Sequence, residues 1–250
     1  MKITATVFFI GVGLAALTVV PAALASEVFD SSLASPPGVY FGSGNVNSGF
    51  TVLDSTNTDG SVLELGLSAI QRFVGPITPS TNDYDVSTSA GPLASWDFVF
   101  SVNTNATGLT NGDVLGDYTY NLSILDENNG HSASFNPTLL PDNAQYGADA
   151  CPGSGCAYNP LNSGMQNAEN LGFSFLSTPL GFDASSTDTY QITLSANPIS
   201  GTNTDPAVTI QVFPQNVATP EPSTIGLTVA LMAGMVFLYR RRRIGAQPRS

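Results

Sequence analysis

His131 is the only histidine of the 250-residue chain, and Cys151 and Cys156 are its only cysteines. Any serine triad would have to pass its proton through that one imidazole. His131 follows Asn129-Gly130, a turn dipeptide, and no Gly-x-Ser-x-Gly elbow occurs to present a serine to it. It therefore reads as a solvated turn histidine. A Ser-Lys dyad is excluded from the body, because no lysine follows Lys2. A zinc hydrolase lacks ligands. Paired carboxylates need less: two acids a few ångströms apart are enough for glycoside hydrolysis. Asp83 and Asp85 would share one face of an extended strand, and Asp97 stands beside Trp96, the only tryptophan.

Calcium is the metal these residues come closest to holding. Ser55, Asn57 and Asp59 place oxygen side chains at alternate positions before Gly60, with Asp54 adjacent. That is part of an EF-hand spacing. The leading Asp is out of register, and Leu67 or Ser68 stands where the distal Glu belongs. Asp54, Asn57 and Asp59 are thus weak calcium candidates, and the same residues read more simply as a hairpin turn. No other metal or cofactor is implied. Cys151 and Cys156 are separated by Pro-Gly-Ser-Gly, which can bend their Cα atoms to within ~6 Å, so an exported chain is expected to join them as a disulfide. Asn105-Ala106-Thr107 and Asn121-Leu122-Ser123 are glycosylation sequons that matter only in a host that uses them.

The elements carrying these residues alternate with a period of two. Leu63, Leu65 and Leu67 are in phase; so are Trp96, Phe98, Phe100 and Val102, then Tyr118, Tyr120, Leu122 and Ile124, then Tyr190, Ile192, Leu194 and Ala196, then Val208, Ile210 and Val212. Such runs put one face of a sheet on a core and leave the other wet. Asp59-Gly60 joins the strand at 51–53 to the leucine strand, and Asn129-Gly130 turns the 118–125 strand back through 132–135. Helical periodicity is confined to the two termini, with a short helical turn the most that 162–171 would hold. Pro137–Asn170 reads as one long loop, either functional or poorly ordered.

Charge narrows the partners. Eighteen of the 19 acids precede residue 220, and Arg72 is the only cation between Lys2 and Arg240, so the body carries a formal charge of −17. Such a surface repels nucleic acid and anionic lipid. Residues 1–25 have one cation, an apolar run from Val7 to Val20, and Ala23-Leu24-Ala25, which is the pattern of a cleaved secretory signal peptide. It implies signal peptidase and the secretion machinery as partners.

The C-terminus carries the most specific pattern. Pro220-Glu221-Pro222 presents its Glu on a backbone that can continue neither as strand nor as helix. Ile225–Tyr239 follows, fifteen residues without charge, or ~22 Å of helix against a hydrocarbon core of ~30 Å. Arg240, Arg241, Arg242 and Arg243 then fix the topology, tail in the cytoplasm and body outside. Gly226, Ala230 and Gly234 put small residues on one face of that helix.

Pro-Glu-Pro-Ser, an apolar helix and an arginine cluster in this order resemble the PEP-CTERM sorting signal of exopolysaccharide-producing Gram-negative bacteria. The resemblance covers about a tenth of the chain. It implies recognition by exosortase, a membrane-embedded, cysteine-dependent, transpeptidase-like enzyme, and a cut near Pro220, Glu221 and Pro222 that releases or attaches the body. The segments Phe41–Phe50 and Glu169–Phe173 also resemble parts of PEP-CTERM ectodomains, which carry over no active site. The expectation is an all-β protein: an antiparallel β-sandwich or jelly-roll ectodomain over 26–213, after a signal-peptide helix at 1–25. A linker at 214–223, one transmembrane helix at 224–239 and an arginine-rich tail at 240–250 complete it. A closed barrel is the runner-up architecture. The expected role is that of a non-catalytic surface or matrix protein of a biofilm, in contact with exopolysaccharide. Its precursor would be anchored in the inner membrane and its mature domain periplasmic, cell-surface or extracellular. The alternative is a carbohydrate-binding module or carbohydrate-active enzyme using surface aromatics such as Trp96 and nearby acids.

Overall fold

The structure is a computed structural model and describes residues 25–41, 45–152, 156–200 and 205–216. Pro220, Glu221, Pro222, the apolar segment 224–239, Arg240–Arg243 and the leader before residue 25 lie outside the described residues. What is described is mostly β, in two sheets packed face to face, 45% strand against 7% helix. Among the described residues no helix is long and apolar enough to cross a membrane.

The larger sheet contains β1 (Glu27–Ser31), β2 (Phe50–Thr56), β3 (Val62–Gln71), β6 (Trp96–Asn103), β10 (Asn162–Glu169) and β9 (Ala144–Gly147), side by side in that order. A two-residue β4 (Gly75–Pro76) folds back on the end of β3. The smaller sheet runs β5 (Asp83–Ser87), β12 (Ala207–Gln215), β11 (Tyr190–Pro198), β7 (Tyr118–Asp126), β8 (Ser132–Phe135). The two hairpins read from Asp59-Gly60 and Asn129-Gly130 are both present, as β2–β3 and β7–β8. All the alternating runs meet in one core between the sheets. One pairing departs from the antiparallel expectation: β5 lies parallel to β12. The long chain between them supplies the crossover that parallel neighbours need.

Three readings are corrected. The segment 162–171 is not helical; it forms β10, whose inward positions are Met165, Asn167 and Glu169. Two polar residues there break the apolar alternation, so the strand is invisible to periodicity. The stretch 137–170 is not one loop, because β9 and β10 both come from it. A helix appears instead at α1 (Ser174–Leu180). It buries only Leu176 and Leu180, four residues apart, and ends at Gly181 with φ of 64°, a left-handed cap. Seven residues with one buried pair and an internal Pro179 make no readable stripe.

The outer face of the larger sheet is also dry, against the expectation of a wet one. The segment 32–41 crosses it as a strap, and Leu33, Phe41, Phe50, Val52, Val99 and Ala144 form a second apolar cluster beneath. Gly66 makes room for it: an added Cβ there would stand 2.5 Å from Leu33 Cδ2. Side chains hold the strap down. The Ala34 N–H donates to Glu64 Oε2 at 2.7 Å, and Gln166 receives the Tyr40 N–H at 3.2 Å while donating to the Gly38 carbonyl at 2.7 Å. Asn47 clasps Leu33 with both ends of its amide.

Leu33→Ala should therefore cost about 2–5 kcal/mol, as other buried leucine truncations do. Gly66→Ala should cost about 1–3 kcal/mol by overpacking. Denaturant unfolding checks both, and a Gly66→Ala change without effect would show that the strap is loosely seated.

Candidate functional site

Trp96 ends the simplest sugar-stacking reading. It is 2% exposed, belongs to the inter-sheet core and packs against Tyr190 with ring centroids 6.1 Å apart. Its phase with Phe98 and Phe100 places it inside. Asp97 points to the other side of β6, where Asn170 Nδ2 donates to it at 2.6 Å and Arg72 Nε stands 3.6 Å away. Burial raises the Asp97 pKa, and those two partners lower it in part. Asp83 and Asp85 do share the outward face of β5, flanking buried Tyr84, and Gln215 donates to Asp85 at 2.5 Å. They decorate an edge strand, where inserted charge discourages strand addition. His131 is exposed, with Nδ1 3.1 Å from the Leu180 carbonyl at the end of α1.

The calcium candidates separate. Asp54 lies exposed on β2 opposite Glu64, away from the turn. Asp59 accepts from the Ser61 N–H at 2.9 Å and hydroxyl at 2.7 Å, which closes the hairpin turn and lowers its pKa. Asn57 is buried, and its Nδ2 reaches Asp113 Oδ2 at 2.7 Å and the Tyr118 hydroxyl at 2.6 Å. Among the described residues no group of three or more His, Cys, Asp or Glu is placed to hold a metal ion.

What the turn does border is an open polar cleft. Asn57 and Asp59 line it with Asp113, Asp117, Tyr118 and Ser200. Tyr118 donates to Asp113 Oδ2 at 2.5 Å. Its hydroxyl pKa is pushed up, first by burial and then by Asp113. The cleft therefore presents a carboxylate oxygen, Asp113 Oδ2, that already accepts hydrogen bonds from Asn57 and Tyr118. Asp113 and Asp117 arrive from a connection more than fifty residues downstream, with no local signal tying them to Asn57.

Two carboxyls without a sequence signature are the most perturbed in the domain. Glu64, 3% exposed under the strap, has its pKa raised to about 7 by burial, against the lowering N–H of Ala34, with Asp54 adding to the rise. Glu169, also 3% exposed, is raised to about 8 by burial, then by Asp142 and Asp97. Asn167 Nδ2 sits among Glu169 Oε1 at 3.0 Å, Asp142 Oδ1 at 2.9 Å and Asn143 Oδ1 at 3.2 Å. One amide nitrogen has two hydrogens for those three oxygens, an arrangement that protonated Glu169 relieves.

The exposed aromatics lie elsewhere. Phe173 and Phe175, at the start of α1, are near-parallel at 6.5 Å and 23°, and Phe135 props Phe175 edge-on at 5.6 Å. Phe73 projects from the tip between β3 and β4. The Cys151–Cys156 disulfide is formed, with Cα atoms 6.0 Å apart, and Cys151 pairs with Gln145 beside β9 at the sheet edge.

Both glutamates bind protons more tightly folded than unfolded, so the domain gains stability as pH falls. The gain begins as pH drops below about 8 and is complete near the ordinary glutamate value of about 4.5. The melting temperature should be higher at pH 5.5 than at pH 8, and Glu64→Gln or Glu169→Gln should flatten the slope. A melting temperature that rises with pH across this window would contradict the assignment.

Comparison with known proteins returns no matching family model, no matching curated protein and no matching solved structure.

Proposed function

We propose that this chain is an exported, non-catalytic surface or extracellular-matrix protein, sorted through its C-terminal device. The observation that carries the reading is the order Pro220-Glu221-Pro222, fifteen uncharged residues and Arg240–Arg243 behind a body of charge −17. Exosortase is the processing partner this order implies, and signal peptidase removes the leader. A transmembrane helix at 224–239 holds the precursor in the inner membrane of a Gram-negative cell, tail inside. The disulfide supports export, since such bonds persist in oxidising compartments. A binding or structural role fits the body's composition: it has no lysine, and its one imidazole stands in a surface turn with Nδ1 3.1 Å from the Leu180 carbonyl.

Intact-mass measurement of the mature protein in an exosortase-containing host tests this. The expected mass lacks the segment after the Pro-Glu-Pro motif, and Glu221→Ala should restore it. A mature chain still ending at Ser250 would refute processing.

A carbohydrate-binding role has one observation in its favour, the shelf of Phe173 and Phe175. Such a shelf offers flat apolar faces to a polysaccharide without needing a catalytic group. A glycan array with and without calcium tests it; Phe173→Ala with Phe175→Ala should weaken any binding several-fold, and binding indifferent to both changes would move the site elsewhere.

A further inference from the structure

The course of the chain decides which end of the sandwich lies nearest the apolar segment 224–239. β12 is held to its last residues: the Thr88 N–H bonds the Gln215 carbonyl at 3.0 Å, and Thr88 Oγ1 donates to Asn216 Oδ1 at 3.0 Å. Eight residues, 217–224, then separate Asn216 from Ile225. At full stretch they reach only about 30 Å. β3 and β12, of ten and nine residues, are themselves ~30 Å long. Seating the far end, which carries Asp59, Asp113 and Asp117, on a membrane that holds 224–239 would consume the whole tether. The near end needs almost none of it.

The near end is where the domain displays its most exposed apolar side chains. Gln215 pairs with Ser87, whose N–H bonds Gln71 Oε1 at 3.0 Å. Just beyond Gln71 come Phe73, 100% exposed, and Val74, 82% exposed. Phe73 takes φ of 63°, a conformation unfavourable for a bulky residue, and the Val74 N–H closes the turn on the Gln71 carbonyl at 3.1 Å. Folding itself gains nothing from an aromatic ring held out this way. A shallow groove walled by Pro92, Leu93 and Ala94 continues the apolar surface. Gly172 packs against its back, and half-exposed Phe173 follows.

Charge selects the kind of lipid. Arg72 lies over the Phe73 ring at 5.3 Å and is already paired with Asp97 through Nε, so the tip itself is close to neutral. Glu127 and Asp188, which flank the strands of the smaller sheet at this end, stay unpaired with any cation among the described residues. Anionic headgroups are therefore repelled, and zwitterionic ones are not. An apolar tip enters only the ~5–10 Å boundary between headgroups and acyl chains. A short tether makes that contact intramolecular, so a seat of two side chains is well occupied although it would be weak for a free domain.

We infer that in the precursor this end of the sandwich lies against the membrane that holds 224–239, with Phe73 and Val74 seated among zwitterionic headgroups and the Asp59, Asp113 and Asp117 cleft turned away. The inference rests on the reading of 224–239 as a transmembrane helix. A cut at Pro220–Pro222 removes the tether, so the tip is covered before processing and open after it.

Lipid quenching tests it. The exported chain, purified with residues 217–250 attached, is reconstituted in phosphatidylcholine vesicles containing a nitroxide-headgroup lipid. The native cysteines are bonded to each other, so Val74→Cys, Leu109→Cys at the far end and Ala233→Cys in the apolar segment each offer one thiol for a fluorescent maleimide. The label at 74 should be quenched several-fold more than the label at 109. Adding Phe73→Asp, or replacing half the phosphatidylcholine with phosphatidylglycerol, should bring it down toward the level at 109. Phe73 is fully exposed, so its replacement leaves the core intact. A label at 233 that is quenched while 74 and 109 behave alike would overturn the docking and leave the span standing. A label at 233 that stays in water would refute the span, and the docking with it.

Discussion

The larger sheet is buried on both faces, and most of what is unusual in the molecule follows from that. Its inner face is ordinary apolar packing against the smaller sheet. Its outer face carries Glu64, Ser68, Ser101 and Gln166 under a strap whose backbone bonds Glu64 and Gln166, while Gln166 also donates to the Ser101 hydroxyl. Burying a polar group costs free energy unless it finds a partner, so the strap's backbone supplies partners while Leu33 and Phe41 supply the driving force. Gly66 is the geometric condition: a side chain there would take the space of Leu33.

The same constraint creates the domain's acid-favoured balance. A carboxyl that must be buried next to another acid, with one cation in the whole body, keeps its proton. Glu64 beside Asp54 and Glu169 beside Asp142 are two independent instances. Most of the remaining acids lie at the surface, where they cost little; Asp126 is buried too, its carboxylate accepting from the Asn128 and Asn129 N–H groups and the Asn129 amide.

Asn170 ties this framework to the surface. Its amide joins Ala94, Trp96 and Asp97 at the start of β6 to the chain leaving β10. Asp97 in turn meets Arg72 at the tip between β3 and β4. One buried side chain thereby sets the position of the core tryptophan, of the lone cation and of the groove beside Phe73. In the sequence Asn170 lies inside Glu169–Phe173, a segment with no chemistry of its own to advertise.

The amino-acid sequence by itself determined the β class, the strands whose inward positions are all apolar, both Asn-Gly and Asp-Gly hairpins, and the disulfide. Each rests on local chemistry: side-chain alternation, turn dipeptides and a four-residue loop. The tertiary structure alone decided that β10 exists despite Asn167 and Glu169 on its inner face, and that Asp54 leaves Asn57 and Asp59 for a position opposite Glu64. It likewise decided that Asp113 and Asp117 complete the cleft, and that an N-terminal strap dries the outer face. Those outcomes depend on partners tens of residues away, joined by hydrogen bonds and burial that no short-range period encodes. The proposed C-terminal signal is the opposite case: its order of Pro220-Glu221-Pro222, fifteen uncharged residues and Arg240–Arg243 is legible entirely within one stretch of chain.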